Sequence, residues 1–255
     1  MLATFIALLA AHVVADFVLQ FDWIIERKRR LEVFVLHILI VAGTAAIALG
    51  LWPGNLTQAL GAIAVVGLAH VILDAIKTWG EAPGWLQGAH GFGFQAFCLD
   101  QLGHVASIVA AAWLFPDVFA DGFWTAPGLG AETAAPAGFA LFAGFIVATR
   151  AGQFATTAFM VRFPIPETKD AADPDQGLLN GGTWIGLLER GLTFALVLAG
   201  RFEAIGFLLA AKSVLRFSYA AKDRSHSEYV IIGTLFSFSW ALATAALTVL
   251  LIRAL

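Results

Sequence analysis

Thr57-Gln-Ala-Leu-Gly-Ala-Ile-Ala-Val-Val-Gly-Leu-Ala-His70-Val-Ile-Leu-Asp74-Ala-Ile-Lys77-Thr78 reads as one membrane-spanning helix with a polar stripe near its end. At 1.5 Å per residue it is about 33 Å long, enough to cross a hydrocarbon layer roughly 30 Å thick. His70 and Asp74 are four residues apart and Lys77 follows three later, so all three lie on one helical face. Ionisable groups inside a membrane helix are costly and normally face a bundle interior, where they mark function.

The same device recurs on either side. An earlier apolar segment carries His12-Val-Val-Ala-Asp16, a second carries His37 alone, and a later one reverses the order as Asp100-Gln-Leu-Gly-His104. Counted from the predicted inner ends of their spans, these groups lie roughly 6 to 18 Å into the membrane, in overlapping layers. Four spans thus point imidazoles and carboxylates at one depth.

The whole chain is apolar to match. Its 255 residues are 60% hydrophobic and 13% charged, with a mean hydropathy of +0.83. A soluble protein would carry roughly a quarter charged residues. The expected fold class is therefore an all-α, polytopic helical membrane protein. Eight spans are expected, near 2–21, 31–51, 57–78, 92–115, 137–161, 182–199, 203–219 and 229–252. They divide into a four-helix His/Asp half (1–115), an outer linker (116–136) and a four-helix half carrying intramembrane Arg and Lys (137–255).

Leu2 to Leu19 has no basic residue before it and Arg27-Lys28-Arg29-Arg30 after it, the reverse of a cleavable signal. Arg27 to Arg30, Lys77, Arg162, Lys169, Arg216, Lys222 and Arg224 gather at predicted inner ends, whereas the outer links hold only Arg201 and Arg253. Cytoplasmic loops collect Lys and Arg. The expectation is a multi-pass protein of the bacterial inner membrane with both termini outside and membrane lipid as its surroundings. A net charge of −3 and the absence of any recognisable motif give no role in nucleic-acid binding. The single cysteine, Cys98, is read as packing.

Imidazole and carboxylate are the ligands of zinc, manganese and iron. His12, Asp16, His37, His70, Asp74, Asp100 and His104 suffice for one divalent metal with carboxylates orienting the histidines, or for two sharing a bridging Asp; zinc is the expected ion. Asp16, Asp74 and Asp100 are the candidates for a catalytic base. The other reading of the seam is a set of His–Asp hydrogen bonds that fix helix packing. Lys77, Arg150, Arg190, Lys212 and Arg216 are candidates for binding a phosphate-bearing substrate, because arginine grips phosphate in bidentate fashion. The alternative for Lys77 is snorkelling to the inner interface, and for the other four it is internal ion pairing. Gln20 and Gln101 sit beside the seam as possible donors, Asn180-Gly-Gly-Thr183 offers a turn into a helix, and His90 and His226 fall in loops.

His12-xxx-Asp16-Phe17-xx-Gln20, His37, His70-xxx-Asp74-xx-Lys77 and Asp100-Gln101-xx-His104 together resemble the bacterial family called domain of unknown function 3307, over about the first 110 residues. Gly-Gly-Thr-Trp-Ile-Gly-Leu-Leu-Glu-Arg190, Ala-Ala-Lys212-Ser-Val-Leu-Arg216-Phe and Glu228-Tyr-Val-Ile-Ile-Gly-Thr resemble its longer members. That resemblance implies a bacterial membrane protein and no particular activity. The His/Asp pattern is also loosely similar to membrane-bound metal-dependent hydrolases, a likeness of residue types. The expected function is a metal-dependent hydrolase acting on a lipid-like, phosphate-bearing substrate from the cytoplasmic leaflet. The alternatives are a metal-ion or proton-coupled transporter, a haem-binding bundle and a scaffold protein.

Overall fold

The structure, a computed structural model, describes residues 1–80, 87–88, 91–126, 134–163, 180–220 and 224–255; the side chains of 87–88, 91–92, 215–220, 224 and 226 lie outside that description. His90 and Lys169 and the side chains of Arg216 and His226 are therefore outside it. Apart from a two-residue antiparallel pair, Gln87–Gly88 with Gly91–Phe92, the regular structure is helical. The helices are α1 (Leu2–Phe17), α2 (Asp22–Arg27), α3 (Leu31–Ala48), α4 (Leu56–Trp79), α5 (Phe94–Leu114), α6 (Ala134–Ile146), α7 (Gly152–Met160), α8 (Gly181–Leu198), α9 (Phe202–Ala220) and α10 (Arg224–Arg253). A π-helical turn, Val147–Ala151, joins α6 to α7 into one continuous rod.

Five of these are long and apolar enough to cross a membrane: α3, α4, α5, the α6–α7 rod and α10; α1 is apolar but shorter. Their outer surfaces are apolar too. α4 buries Ala59, Ala62, Val66, His70 and Asp74 while exposing Leu60, Leu68, Ile72 and Ile76. Small and polar groups inside with large aliphatic groups outside is the pattern of a helix bathed in hydrocarbon.

The first span expected from sequence, 2–21, ends early. α1 stops at Phe17, and the chain turns into the short α2 before α3 begins. This turn shapes the site, because it brings Lys28 back to Asp74 of α4.

α1 is the axis of the molecule: it packs on α3 and α5, and also on α6. Alanines at 7, 10, 11 and 15 let neighbours approach closely. One cluster joins Ala7, Leu8 and Ala11 to Val41, Ala59, Ala62, Ile108 and Phe119. A second joins Ala10, Val13 and Phe17 to Ala143, Ile146 and Ala151. The two sequence halves therefore share a core along α1 rather than standing as separate bundles.

Part of the expected linker belongs to that core as well. Val118 and Phe119 are buried, and the Trp124 indole donates to the Ile47 carbonyl at 2.8 Å. Buried Asn55 secures the turn: its amide donates to the carbonyls of Val118 (2.9 Å) and Leu49 (3.2 Å), and its oxygen accepts from the Trp52 N–H (2.8 Å). Gly50 has φ of +61°, and a Cβ at Gly122 would lie 2.4 Å from the Leu49 carbonyl oxygen, so both turns demand glycine. An apolar cap thus closes the bundle at the end away from the polar seam.

Candidate metal centre

The seam forms where α1, α3, α4 and α5 meet. His12 and Asp16 come from α1, His37 from α3, His70 and Asp74 from α4, and Asp100 and His104 from α5. The i,i+4 spacing aims each pair inward, and the opposite faces carry the apolar residues that face out. His37 and His70 have no exposed surface, and His12, Asp74 and His104 are at most 3% exposed. All seven residues expected from sequence converge.

The innermost atoms are Asp16 Oδ1, His37 Nε2, His70 Nε2 and Asp74 Oδ2. The two imidazole nitrogens are 3.0 Å apart. Asp16 Oδ1 lies 3.5 Å from each. Asp74 Oδ2 lies 3.3 Å from His37 Nε2 and 3.2 Å from His70 Nε2. These are two triangles sharing the His37–His70 edge. Ligands held at zinc distances of about 2.0–2.1 Å in a tetrahedron are separated by roughly 3.3–3.4 Å. Both triangles therefore have ligand-to-ligand edges of the right length, and Asp16, His37 and His70 form a three-ligand set of the kind that leaves a fourth position for water or substrate.

Which nitrogens face inward separates ligation from mere orientation. A carboxylate that only orients a metal-bound histidine sits on the ring nitrogen turned away from the metal. Here the Asp16 and Asp74 oxygens meet the same Nε2 atoms that face each other. The Nδ1 atoms of His37 and His70 are buried without a hydrogen-bond partner among the described residues, as are Asp16 Oδ1 and His104 Nε2. Buried polar atoms are ordinarily satisfied. Of these atoms Asp16 Oδ1 faces the shared point directly, 3.5 Å from each Nε2.

His12 is placed differently. Its Nδ1 lies 3.8 Å from the second oxygen of Asp16, and its Nε2 is 3.3 Å from Gln101 Oε1. It can therefore steady Asp16 while contributing to a His12, His70 and His104 set. The rings of His12, His70 and His104 form a triangle, with centroids 4.2 Å (His70–His104), 4.9 Å (His104–His12) and 5.9 Å (His12–His70) apart, and His37 lies 5.1 Å from His70. Asp74, Asp100 and His104 make a further possible three-ligand group.

Two lysines flank the centre. Lys28 Nζ is 2.6 Å from Asp74 Oδ2, and its side chain is 12% exposed. Its number suggests only an inner-end charge; the turn after α1 makes it a neighbour of the site. The adjoining Arg27-Arg29-Arg30 run hid it, since nothing local marks one of four cations as special. Lys77, expected to meet a substrate anion, instead bonds Asp100 Oδ2 at 2.8 Å. Gln101 Nε2 donates to the same oxygen at 3.1 Å, and the other Asp100 oxygen lies 3.7 Å from His104 Nε2. Asp100 is thus more heavily engaged than Asp16, because cations and amides already surround it.

Among the described residues, Arg150, Arg190 and Lys212 of the second half do not join the seam. Arg150 reaches only the Phe17 carbonyl among the described residues, at 3.4 Å. Arg190 donates to the Thr149 carbonyl (3.3 Å) and to Ser237 Oγ (3.0 Å), and Lys212 pairs with Glu189. Arg190 and Lys212 line a cavity of about 710 Å³ between α7, α8, α9 and α10, none of whose lining residues belongs to the seam. The Asn180 turn, with φ of 60° and ψ of 14°, starts α8 at the edge of that cavity.

No curated protein and no solved structure matches the chain significantly. Residues 4–123, which run from α1 past the end of α5 and contain every residue of the seam, match the model of the family Protein of unknown function (DUF3307), the family their His/Asp motifs resemble.

Proposed function

We propose that this is a metal-dependent hydrolase embedded in the bacterial inner membrane, with a divalent ion, zinc foremost, held by the His/Asp seam. Its substrate on this reading is a lipid-like molecule bearing a phosphate group, entering from the cytoplasmic leaflet. The observation that carries the proposal is the convergence of Asp16, His37 and His70, with Asp74 closing a second triangle on the same two nitrogens. A metal held there would polarise a substrate oxygen and lower the pKa of bound water toward neutrality.

The chain's own residues divide the remaining work. Asp16, whose inward oxygen has no hydrogen-bond partner among the described residues, suits a residue that takes a proton from water, whereas Asp74 shares its inward oxygen with Lys28. Asp100, gripped by Lys77 and Gln101, is better suited to steadying His104, or to a second ion with Asp74. Lys28 and Lys77 bring positive charge beside the carboxylates, where a phosphate would approach. Arg27 to Arg30 put this end of the bundle in the cytoplasm, which places both termini outside if α1, α8 and α9 also span and the total is eight.

The apolar cluster from Ala7 to Phe119 fills the bundle beyond the seam and favours a site open at one end over a transport path. Imidazoles in contact with one another give haem ligation no support. Elemental analysis of detergent-purified protein, with phosphate release from a panel of phospholipids and lipid phosphates, tests the proposal. One or two equivalents of zinc and a metal-dependent release, both lost in His70→Ala, are expected. A metal-free protein, or undiminished release in that variant, overturns it. Metal uptake into proteoliposomes without hydrolysis would replace it with transport.

A further inference from the structure

The cavity between α7, α8, α9 and α10 has no part in the metal centre, yet it is built around an unusual group. Arg190 is 3% exposed, and among the described residues its hydrogen bonds go to the Thr149 carbonyl and the Ser237 hydroxyl, with no salt bridge to a carboxylate. Glu189, next in sequence, is committed to Lys212. Glu189 thus reaches Arg190 only as a longer-range charge, and a buried guanidinium with no direct ion pair among the described residues is expensive unless something anionic reaches it.

The surrounding backbone makes room for this arginine. A Cβ at Gly152 would stand 3.0 Å from its Cδ, and one at Gly186 would stand 3.1 Å from Nη1. The π-helical turn contributes too. Thr149, whose carbonyl accepts from Arg190, lies in it, and Trp240 Nε1 donates to the Val147 carbonyl at 2.8 Å. π-turns inserted in otherwise regular helices are frequent at functional sites.

The rest of the lining completes a recognisable chemistry. Gln153 presents a buried side-chain oxygen with no hydrogen-bond partner among the described residues, ready to accept from a ligand hydroxyl. Thr183 and Gly182 bring the first turn of α8 to the wall. Met160, Val161 and Ile185 provide apolar surface. With Glu189 and Lys212 cancelling, the described lining is left with the positive charge of Arg190.

We propose that this cavity is a second site, separate from the metal centre, that binds an anionic phosphate ester through Arg190, with Gln153 accepting from a hydroxyl of the same ligand. The phosphate arrives either on a lipid headgroup or on a small soluble ester. The site stands whether or not the metal reading does.

Full-length protein in neutral detergent is titrated with phosphatidylglycerol, glycerol phosphate, inorganic phosphate and phosphatidylcholine. Bound ligand is counted by native mass spectrometry and affinity read from thermal shift. Saturable binding of phosphatidylglycerol well above glycerol phosphate identifies a lipid source; equal binding of the two identifies a soluble one. In either case Arg190→Gln is expected to weaken binding by about tenfold or more, since a charge-assisted bond to a buried anion is lost. Gly186→Ala, which leaves the charge but crowds the guanidinium, guards against a misfolded Arg190 variant and is expected to weaken binding as well. Zinc content is expected to stay unchanged in both. Phosphatidylcholine binding as tightly as phosphatidylglycerol, no binding of any phosphate, or binding indifferent to both variants overturns the proposal.

Discussion

His70 is the vertex at which the metal proposal is most exposed to test. Its Nε2 takes part in three of the five short contacts of the centre, to His37, Asp16 and Asp74, and its ring abuts those of His12 and His104. Replacing it with Ala removes one ligand from the Asp16 triangle and one from the Asp74 triangle together. Apparent free energies of structural zinc binding of about 10–16 kcal/mol, shared among three or four ligands, give roughly 3–5 kcal/mol per ligand. That is about two to four decades in Kd. Competition of the purified protein against a zinc chelator of known affinity measures it. His70→Gln, which retains most of the bulk, guards against collapse of the bundle, and Lys212→Gln controls for general effects. Zinc affinity in His70→Ala within threefold of the parent protein would refute the reasoning, because no shared centre can lose its common vertex so cheaply.

Lys28→Met should uncover Asp74: breaking a buried pair costs about 3–5 kcal/mol, so the metal-free protein melts lower while zinc restores more of the loss than in the parent. Thermal unfolding with and without zinc checks this, and an unchanged melting temperature of the metal-free protein would remove Lys28 from the site. Asn55→Ala should cost about 2–3 kcal/mol by stranding buried carbonyls, with the change visible in the fluorescence of nearby Trp52 and Trp124. Gly144→Ala places a Cβ 2.1 Å from Thr248 Oγ1 and should destabilise the α6–α10 contact by about 1–3 kcal/mol; adding Thr248→Ala should recover most of that, as a double-mutant thermal series will show. In a Cys98→Ala background, cysteines at Arg30 and Arg253 should react with an impermeant thiol reagent from opposite sides of the membrane, and labelling from one side would overturn the proposed topology.

By itself the sequence determined the helical class, the identity of the seam and its burial. It could do so because the i,i+4 period fixes which residues share a face, and because an apolar environment forces ionisable groups inward. Its His/Asp motifs also carried a family resemblance over about the first 110 residues, and the family model matches residues 4–123. It could not decide which atoms of the seam meet. That depended on how α1, α3, α4 and α5 cross, which alanine packing sets over long sequence separations. It could not see Lys28 either, since only the early end of α1 and the turn through α2 return that lysine to Asp74. Nor could it divide the cations. Lys77 matched a substrate-binding residue by spacing, but the approach of α5 gave it Asp100; Arg190 matched one too, but α8 and α10 enclosed it in a different cavity. Periodicity is a local property and reads directly from the chain, whereas a partner across a helix interface is a tertiary fact, chosen by packing.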